Sequence, residues 1–135
     1  MGVRIRYKIS ATVSSTDAEE KDLANQSWEV VTDVEGEGGS WKTTVAAAAA
    51  DEQLYLGNLV TSKIILIRTT ATDPTQPPGD MVFKKNSPTG EQLTVRPIGD
   101  SKEGHLVISS DGITALYVSN VSTVSMDVTV VSAGD

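Results

Sequence analysis

The sequence predicts an all-β protein: a single-domain β-sandwich or jelly roll of eight to ten short strands over residues 1–135. Sixteen valines, eight isoleucines and fifteen threonines outweigh eight leucines, and β-branched side chains favour the pleated, half-buried surface of a sheet. Turn-forming segments recur about every eight to twelve residues, which is the spacing of short strands in a sandwich. A chain of 135 residues has room for one core and needs no metal or disulfide to fold.

The N-terminal segment has the clearest alternation in the chain. Apolar side chains alternate with cations, so that Val3, Ile5, Tyr7 and Ile9 interleave with Arg4, Arg6 and Lys8. This pattern predicts a strand with one buried face and one charged face. We expect the cations to pair with the nearby carboxylates of Glu29, Asp33 and Glu35, or alternatively with an acidic patch on a partner.

A polar, acidic excursion follows at about residues 14–39. Between Asp17 and Glu37, eight acids and one lysine give a charge of −7, which equals the net charge of the whole chain. Such an excess of acid argues against nucleic-acid binding. Three interpretations stay open for this segment: a solvated loop containing one strand, a contact with a basic partner, and a calcium loop. The calcium loop lacks the carboxylate that it would need at Thr44, and we predict no metal site.

The predicted elements follow from local pattern. Within the acidic excursion, a capping box predicts one helical turn over Asp17–Leu23, inside a polar crossing from Ser14 to about Asn25. The alanines at 46–50 predict a short irregular passage or one helical turn. Four consecutive apolar residues between charges predict a central strand at Lys63–Thr70, and three prolines predict a loop at Asp73–Asp80. The other predicted strands contain Trp28–Val34, Trp41–Val45, Met81–Lys85, Gln92–Pro97, His105–Ile108, Ile113–Ser119 and Val124–Val131, with a turn at Ser109–Gly112.

The residues that catalysis needs are scarce. The chain has no cysteine and one histidine, which excludes thiolate metal sites and a cysteine nucleophile. His105 is interpreted as a strand-start residue with one solvated edge. No phosphate-binding loop or nucleophile elbow is present, and no apolar run approaches the roughly 18 residues of a membrane span. We therefore predict a protein that is not an enzyme, binds no cofactor and does not enter a membrane.

The second half of the chain resembles a known group of proteins in its order of strands and turns. The segments concerned are Glu52–Gly57, Ile64–Arg68, Gly104–Ile108, Asp111–Asn120 and Val124–Val131. Together they look like strands of small jelly-roll-like structural proteins of tailed bacteriophages, which include capsid decoration (cement) proteins and small tail or baseplate proteins. The resemblance implies a virion protein, assembled in the host cytoplasm, that binds the major capsid protein or other virion subunits. It also implies self-association, with a trimer favoured.

Three functions are therefore carried forward. The leading one is a capsid decoration protein that stabilises the capsid lattice, and the second is a small tail, baseplate or neck component. A carbohydrate-binding sandwich is the alternative from another class, and it depends on the tryptophans and tyrosines, which are also needed as core mass. Lys84 and Lys85 are interpreted as charges that block edge pairing of a hairpin. The candidate partner-contact residues are Arg4, Arg6, Lys8, Glu35, Glu37, Trp41, Lys84 and Lys85.

Overall fold

The structure, a computed structural model, describes residues 2–16 and 22–135, which form ten strands and no helix. This confirms the predicted all-β class. The strands are β1 Val3–Ser14, β2 Asp22–Val34, β3 Glu37–Val45, β4 Glu52–Gln53, β5 Ser62–Ala71, β6 Met81–Lys85, β7 Gln92–Val95, β8 Gly104–Ile113, β9 Leu116–Asn120 and β10 Met126–Gly134. The described part of the chain contains no helix that could span a membrane.

Eight of these strands form a β-sandwich. The first sheet has the strand order β3-β10-β5-β8 and the second sheet has the order β4-β9-β6-β7. One face of each sheet is apolar because the side chains alternate along each strand. Both sheets contribute buried side chains to one core, among them Ile65, Ile67 and Val128 from the first sheet and Met81, Phe83 and Val118 from the second.

The first two strands form a separate two-stranded ribbon, which we call the arm. It is antiparallel and pairs from Val3 opposite Val34 to Ser14 opposite Asp22. At the base of the arm, Ile5 and Val34 are buried in a small second cluster with Ile64 and Ala133 of the first sheet. Ile64 and Ala133 face away from the main core, so the arm packs on the outer face of the sandwich. A two-stranded ribbon is marginally stable alone in water, and this packing anchors it.

The chain passes from the arm into β3 through a tightly packed glycine. A Cβ atom added to Gly36 would lie 2.0 Å from the carbonyl oxygen of Gly134 and 2.5 Å from the Cα atom of Asp135. These distances are far shorter than van der Waals contact, and the obstacles are backbone atoms, so only glycine fits without a backbone shift. The base of the arm is therefore held against the end of β10 as well as against the outer face of the first sheet.

Several predicted boundaries are corrected. β2 begins at Asp22, so the polar crossing does not reach Asn25, and Asp22–Leu23 is extended instead of helical; residues 17–21 of the predicted helical turn lie outside the described residues. The turn predicted at Ser109–Gly112 is wrong, since β8 continues to Ile113. β8 has a bulge opposite β5 that accommodates Ser109–Gly112. Ser62 of β5 pairs with Ile113, whereas Ile64 pairs with Ser109. Such a bulge keeps a turn-like sequence within a strand.

Other predictions are confirmed. β5 is a central strand that pairs with β10 on one side and β8 on the other. β6 and β7 form the predicted hairpin, and the proline-rich segment 73–80 contains no strand. The alanine run at 46–50 forms an irregular turn and not a helical one, with Ala48 at a φ of 60°. The predicted last strand, Val124–Val131, is corrected at both ends, since β10 begins at Met126 and continues to Gly134.

Candidate protein-contact surface

The register of the arm separates its side chains into two faces. Residues directly opposite each other in an antiparallel pair point to the same face, and Tyr7 pairs with Val30 while Lys8 pairs with Glu29. The mainly apolar face, called the apolar face below, carries Val3, Ile5, Tyr7, Ile9, Ala11 and Val13 from β1, and Ala24, Gln26, Trp28, Val30, Thr32 and Val34 from β2. The polar face carries Arg4, Arg6, Lys8 and Ser10 from β1, and Ser27, Glu29, Val31 and Asp33 from β2.

Ion pairs within the arm satisfy much of the polar face. Arg4 donates two hydrogen bonds to Asp33, with Nε–Oδ1 at 2.6 Å and Nη2–Oδ2 at 2.9 Å. Arg6 Nε lies 3.8 Å from Glu29 Oε1. The hydrogen bond from Arg4 holds the pKa of the Asp33 carboxyl below its ordinary value. This geometry agrees with the internal pairing that the sequence favoured. The side chains are largely exposed, so these pairs contribute little to stability.

The apolar face of the arm changes from buried to exposed along its length. At the base, Ile5 is 8% exposed and Val34 is 4% exposed. Farther out on the same face, Ile9 is 41% exposed, and Val13 and Trp28 are each 54% exposed. We call these three residues the distal apolar strip. Aromatic and aliphatic side chains that share one exposed face are characteristic of a surface that contacts another protein.

Trp41 does not form a flat binding platform. Its ring meets Tyr55 edge to face, with the centroids 5.2 Å apart and the planes at 82°. The indole ring also packs against Gly39 and Gly57, where an added Cβ would lie 2.8 and 2.7 Å from ring atoms. The ring is therefore wedged between backbone and a neighbouring aromatic residue, at the middle of β3, whose first residue is the contact candidate Glu37. Because the two rings are nearly perpendicular, Trp41 and Tyr55 do not form one flat platform on which a sugar could stack across both rings.

The two lysines of the second sheet have a different role from the predicted one. β6 lies between β9 and β7, so Lys84 and Lys85 are not on an edge strand, and the edge-blocking interpretation is wrong. Lys84 Nζ lies 2.7 Å from Asp51 Oδ1, and this hydrogen bond lowers the pKa of the Asp51 carboxyl. The structure brings Arg4, Arg6 and Lys8 together on the arm. It places Lys84 and Lys85 on β6, in the second sheet of the sandwich.

The described residues show no cluster of metal-ligating side chains. Among residues 2–16 and 22–135, no three His, Asp or Glu side chains gather as metal ligands. Asp33, one carboxylate of the calcium candidate, is paired with Arg4, and Glu35 lies exposed in the bend after β2. His105 is exposed on β8, where its Nε2 lies 3.3 Å from Glu103 Oε2. Arg68 also donates to Glu103 and is the main cause of the lowered pKa of that carboxyl.

One polar cluster stabilises the sandwich. Asp127 of β10 is 8% exposed and accepts hydrogen bonds at Oδ1 from Thr44 Oγ1 at 2.8 Å and from Thr72 Oγ1 at 2.9 Å. Lys42 Nζ lies 3.1 Å from Asp127 Oδ2. Burial raises the pKa of Asp127, but the two threonines and Lys42 together outweigh burial, so that the pKa lies below its ordinary value. The cluster ties β3 and the chain after β5 to β10.

Sequence reasoning did not identify the distal apolar strip as a surface. The alternation of β1 predicts one buried face, and Trp28 belongs to the aromatic residues that the sequence assigns to core mass. Alternation shows which side chains share a face, and it does not show how far the covering layer extends. The signal that was present is length: two consecutive strands of 12 and 13 residues exceed the usual five or six.

No protein-family model, curated protein or solved structure matches this chain.

Proposed function

We propose that this chain is a non-enzymatic structural protein of a tailed-bacteriophage virion, and that it acts as a capsid decoration protein on the major capsid lattice. The observation that carries the proposal is the arm, which extends from a sandwich and exposes apolar side chains at Ile9, Val13 and Trp28. A surface of this kind binds protein, because burying it removes apolar area from water at about 25 cal/mol per Å².

The order of the strands supports the same proposal. Eight strands in two four-stranded sheets, arranged β3-β10-β5-β8 and β4-β9-β6-β7, support the proposal that this sandwich is a jelly roll, an architecture of many capsid proteins. Connections cross between the two sheets at most steps along the chain, as in linked Greek keys. This arrangement agrees with the resemblance of the segments named above, from Glu52–Gly57 to Val124–Val131, to phage structural proteins. Fold alone does not define function, so the arm carries the argument.

Co-sedimentation tests the proposal and separates its two virion locations. The full chain is mixed with capsids purified from the phage that encodes it and, separately, with purified tails of the same phage. Saturable sedimentation with capsids is the expected result. Binding to tails alone would replace the decoration role by the tail, baseplate or neck role. Binding to neither, together with retention on a glycan array, would overturn the structural function in favour of carbohydrate binding.

A further inference from the structure

The distal apolar strip extends a surface that already packs within the molecule. The same face of the arm is buried at Ile5 and Val34 against the outer face of the first sheet. The polar face, by contrast, pairs its own charges through Arg4 and Asp33. The distal part of the apolar face therefore stays exposed to water. The base of the same face shows which kind of surface can cover it, namely the aliphatic outer face of a β-sheet.

The first sheet leaves more of that outer face open. Val131 is 38% exposed and Val107 is 41% exposed, and both pair with the half-buried Leu66 between them. They form an aliphatic row next to the row that the base of the arm covers. A groove of about 470 Å³ lies between β1 and the first sheet. Val3, Ile5 and Val131 line it together with Arg4, Arg6 and two glycines of β3, and Val107 lies outside it.

The chain's own arm cannot place its distal strip in this groove. Val3 and Ile5 line the groove, and an extended strand rises about 3.3 Å per residue, so Val13 lies roughly 33 Å from Val3 along β1. The register of the arm runs without interruption from Val3 to Val13, so no break lets the ribbon turn back. The groove and the strip are thus two complementary surfaces of one chain that cannot meet within one molecule.

We propose that the distal apolar strip of one chain packs into the groove beside the arm base of a second copy, against the exposed Val131. This inference names a partner for the arm and rests on the proposed structural function. The contact is head to tail, since strip and groove are different surfaces, and it generates a ring when the rotation closes. A trimer is the ring that the resemblance to phage proteins favours.

The size of the contact sets the expected affinity. The distal half of the arm is seven residues of β1, about 23 Å long, and about 10 Å wide. One such contact is smaller than the roughly 1,200 Å² of a stable interface. In a ring each chain both donates and accepts an arm, which doubles the buried area per chain. We therefore expect association that depends on concentration, with a Kd on the order of micromolar.

The first experiment compares two substitutions on opposite faces of β2. Trp28→Ser removes the largest side chain of the strip, and Val31→Ser is the matched control, because Val31 is 47% exposed on the polar face of the same strand. Sedimentation equilibrium of each full chain is measured from about 1 to about 200 μM. We expect Trp28→Ser to weaken self-association at least about tenfold and Val31→Ser to leave it unchanged. Circular dichroism and thermal melting verify that both variants fold.

The second experiment tests the receiving surface by cross-linking. Because the natural chain contains no cysteine, only the introduced thiols can react with the cross-linker. A chain with Trp28→Cys is mixed with a longer, tagged chain carrying Val131→Cys and treated with a short bismaleimide. We expect the mixed dimer to exceed both same-chain dimers. Replacing Trp28→Cys by Val31→Cys in the mixture is expected to abolish this excess. A dominant dimer of Trp28→Cys with itself would show arm-to-arm contact and overturn the proposed geometry.

The outcomes distinguish this inference from the proposed function. A natural chain that stays monomeric up to about 200 μM and gives no mixed cross-link overturns the second copy as partner. If that monomer still sediments with capsids, and Trp28→Ser abolishes the sedimentation, the strip binds another virion subunit and the structural function stands. If the chain self-associates through Trp28 but binds neither capsids nor tails, the inference stands and the virion function fails.

Discussion

The sandwich and the arm are built from the same alternation of apolar and polar residues, yet they differ in how much of that pattern is covered. In the sandwich, Phe83 and Val128 are completely buried between two sheets, whereas Trp28 in the arm is 54% exposed. The arm has only one sheet to pack on, and that sheet covers only its base. The comparison shows that an identical local pattern produces a core where a second layer exists and a contact surface where the layer ends.

The largest expected effect separates the two regions directly. Phe83→Ala empties a fully buried site between the sheets, so we expect the free energy of unfolding to fall by about 3–5 kcal/mol. Trp28→Ala removes an aromatic residue of the arm and is expected to cost about 0.5 kcal/mol in the monomer. Urea denaturation of dilute protein measures both. Equal losses would show that the distal arm belongs to the cooperative core.

A second substitution tests how firmly the base joins the two regions. Ile5→Ala removes the buried β1 anchor against Ile64 and Ala133, at a local cost of about 2–4 kcal/mol. We expect amides of β1 and β2 to lose hydrogen-exchange protection while those of β5 and β10 retain it. Ile9→Ala, four residues farther along the same face, is the control. It is expected to leave hydrogen-exchange protection unchanged both in β1 and β2 and in β5 and β10. Loss of protection throughout the sandwich would mean that the arm is not an independent unit.

Acid should weaken the sandwich through Asp127. Because the pKa of Asp127 in the folded protein lies below its ordinary value, its contribution to stability is present above about pH 3.9 and is lost as the pH falls through the folded-state pKa. Asp127→Ala is expected to cost about 1–3 kcal/mol at neutral pH. As the pH is lowered from about 5 to about 2, the unfolding free energy of the Asp127→Ala variant should then fall less steeply than that of the natural chain. Parallel curves would contradict this role.

The smallest effect is expected on the polar face of the arm. Replacing Arg4, Arg6 and Lys8 together by Gln removes ion pairs that are largely exposed, so we expect the melting temperature to change by less than about 2 °C. Attachment to capsids should also survive, because carboxylates of the same ribbon already engage Arg4 and Arg6. Preserved stability with attachment that becomes weak and salt-sensitive would assign the cations to a partner instead.

The sequence predicted the sandwich better than the arm for a physical reason. Strands such as β5 are specified by their own residues, since four apolar side chains between charges need cover on both faces. The bulge in β8 could not be predicted, because Ser109–Gly112 has turn chemistry and only the pairing with β5 keeps it extended. The exposure of the distal apolar strip could not be predicted from the sequence either, because it depends on how far the first sheet extends under the arm. Lys84 was misassigned since strand order, which decides what is an edge, is not a local property.

The position of β10 affects how the chain folds as it is synthesised. β10 is the last strand in sequence, yet it lies between β3 and β5, so neither of those strands can complete its pairing before β10 exists. About 100 residues separate the end of β2 at Val34 from Ala133, which at about 5–20 residues per second takes roughly 5–20 s. Hairpin pairing of the arm takes microseconds. A nascent arm therefore waits for seconds before Ala133, part of the surface that will anchor it, has left the ribosome.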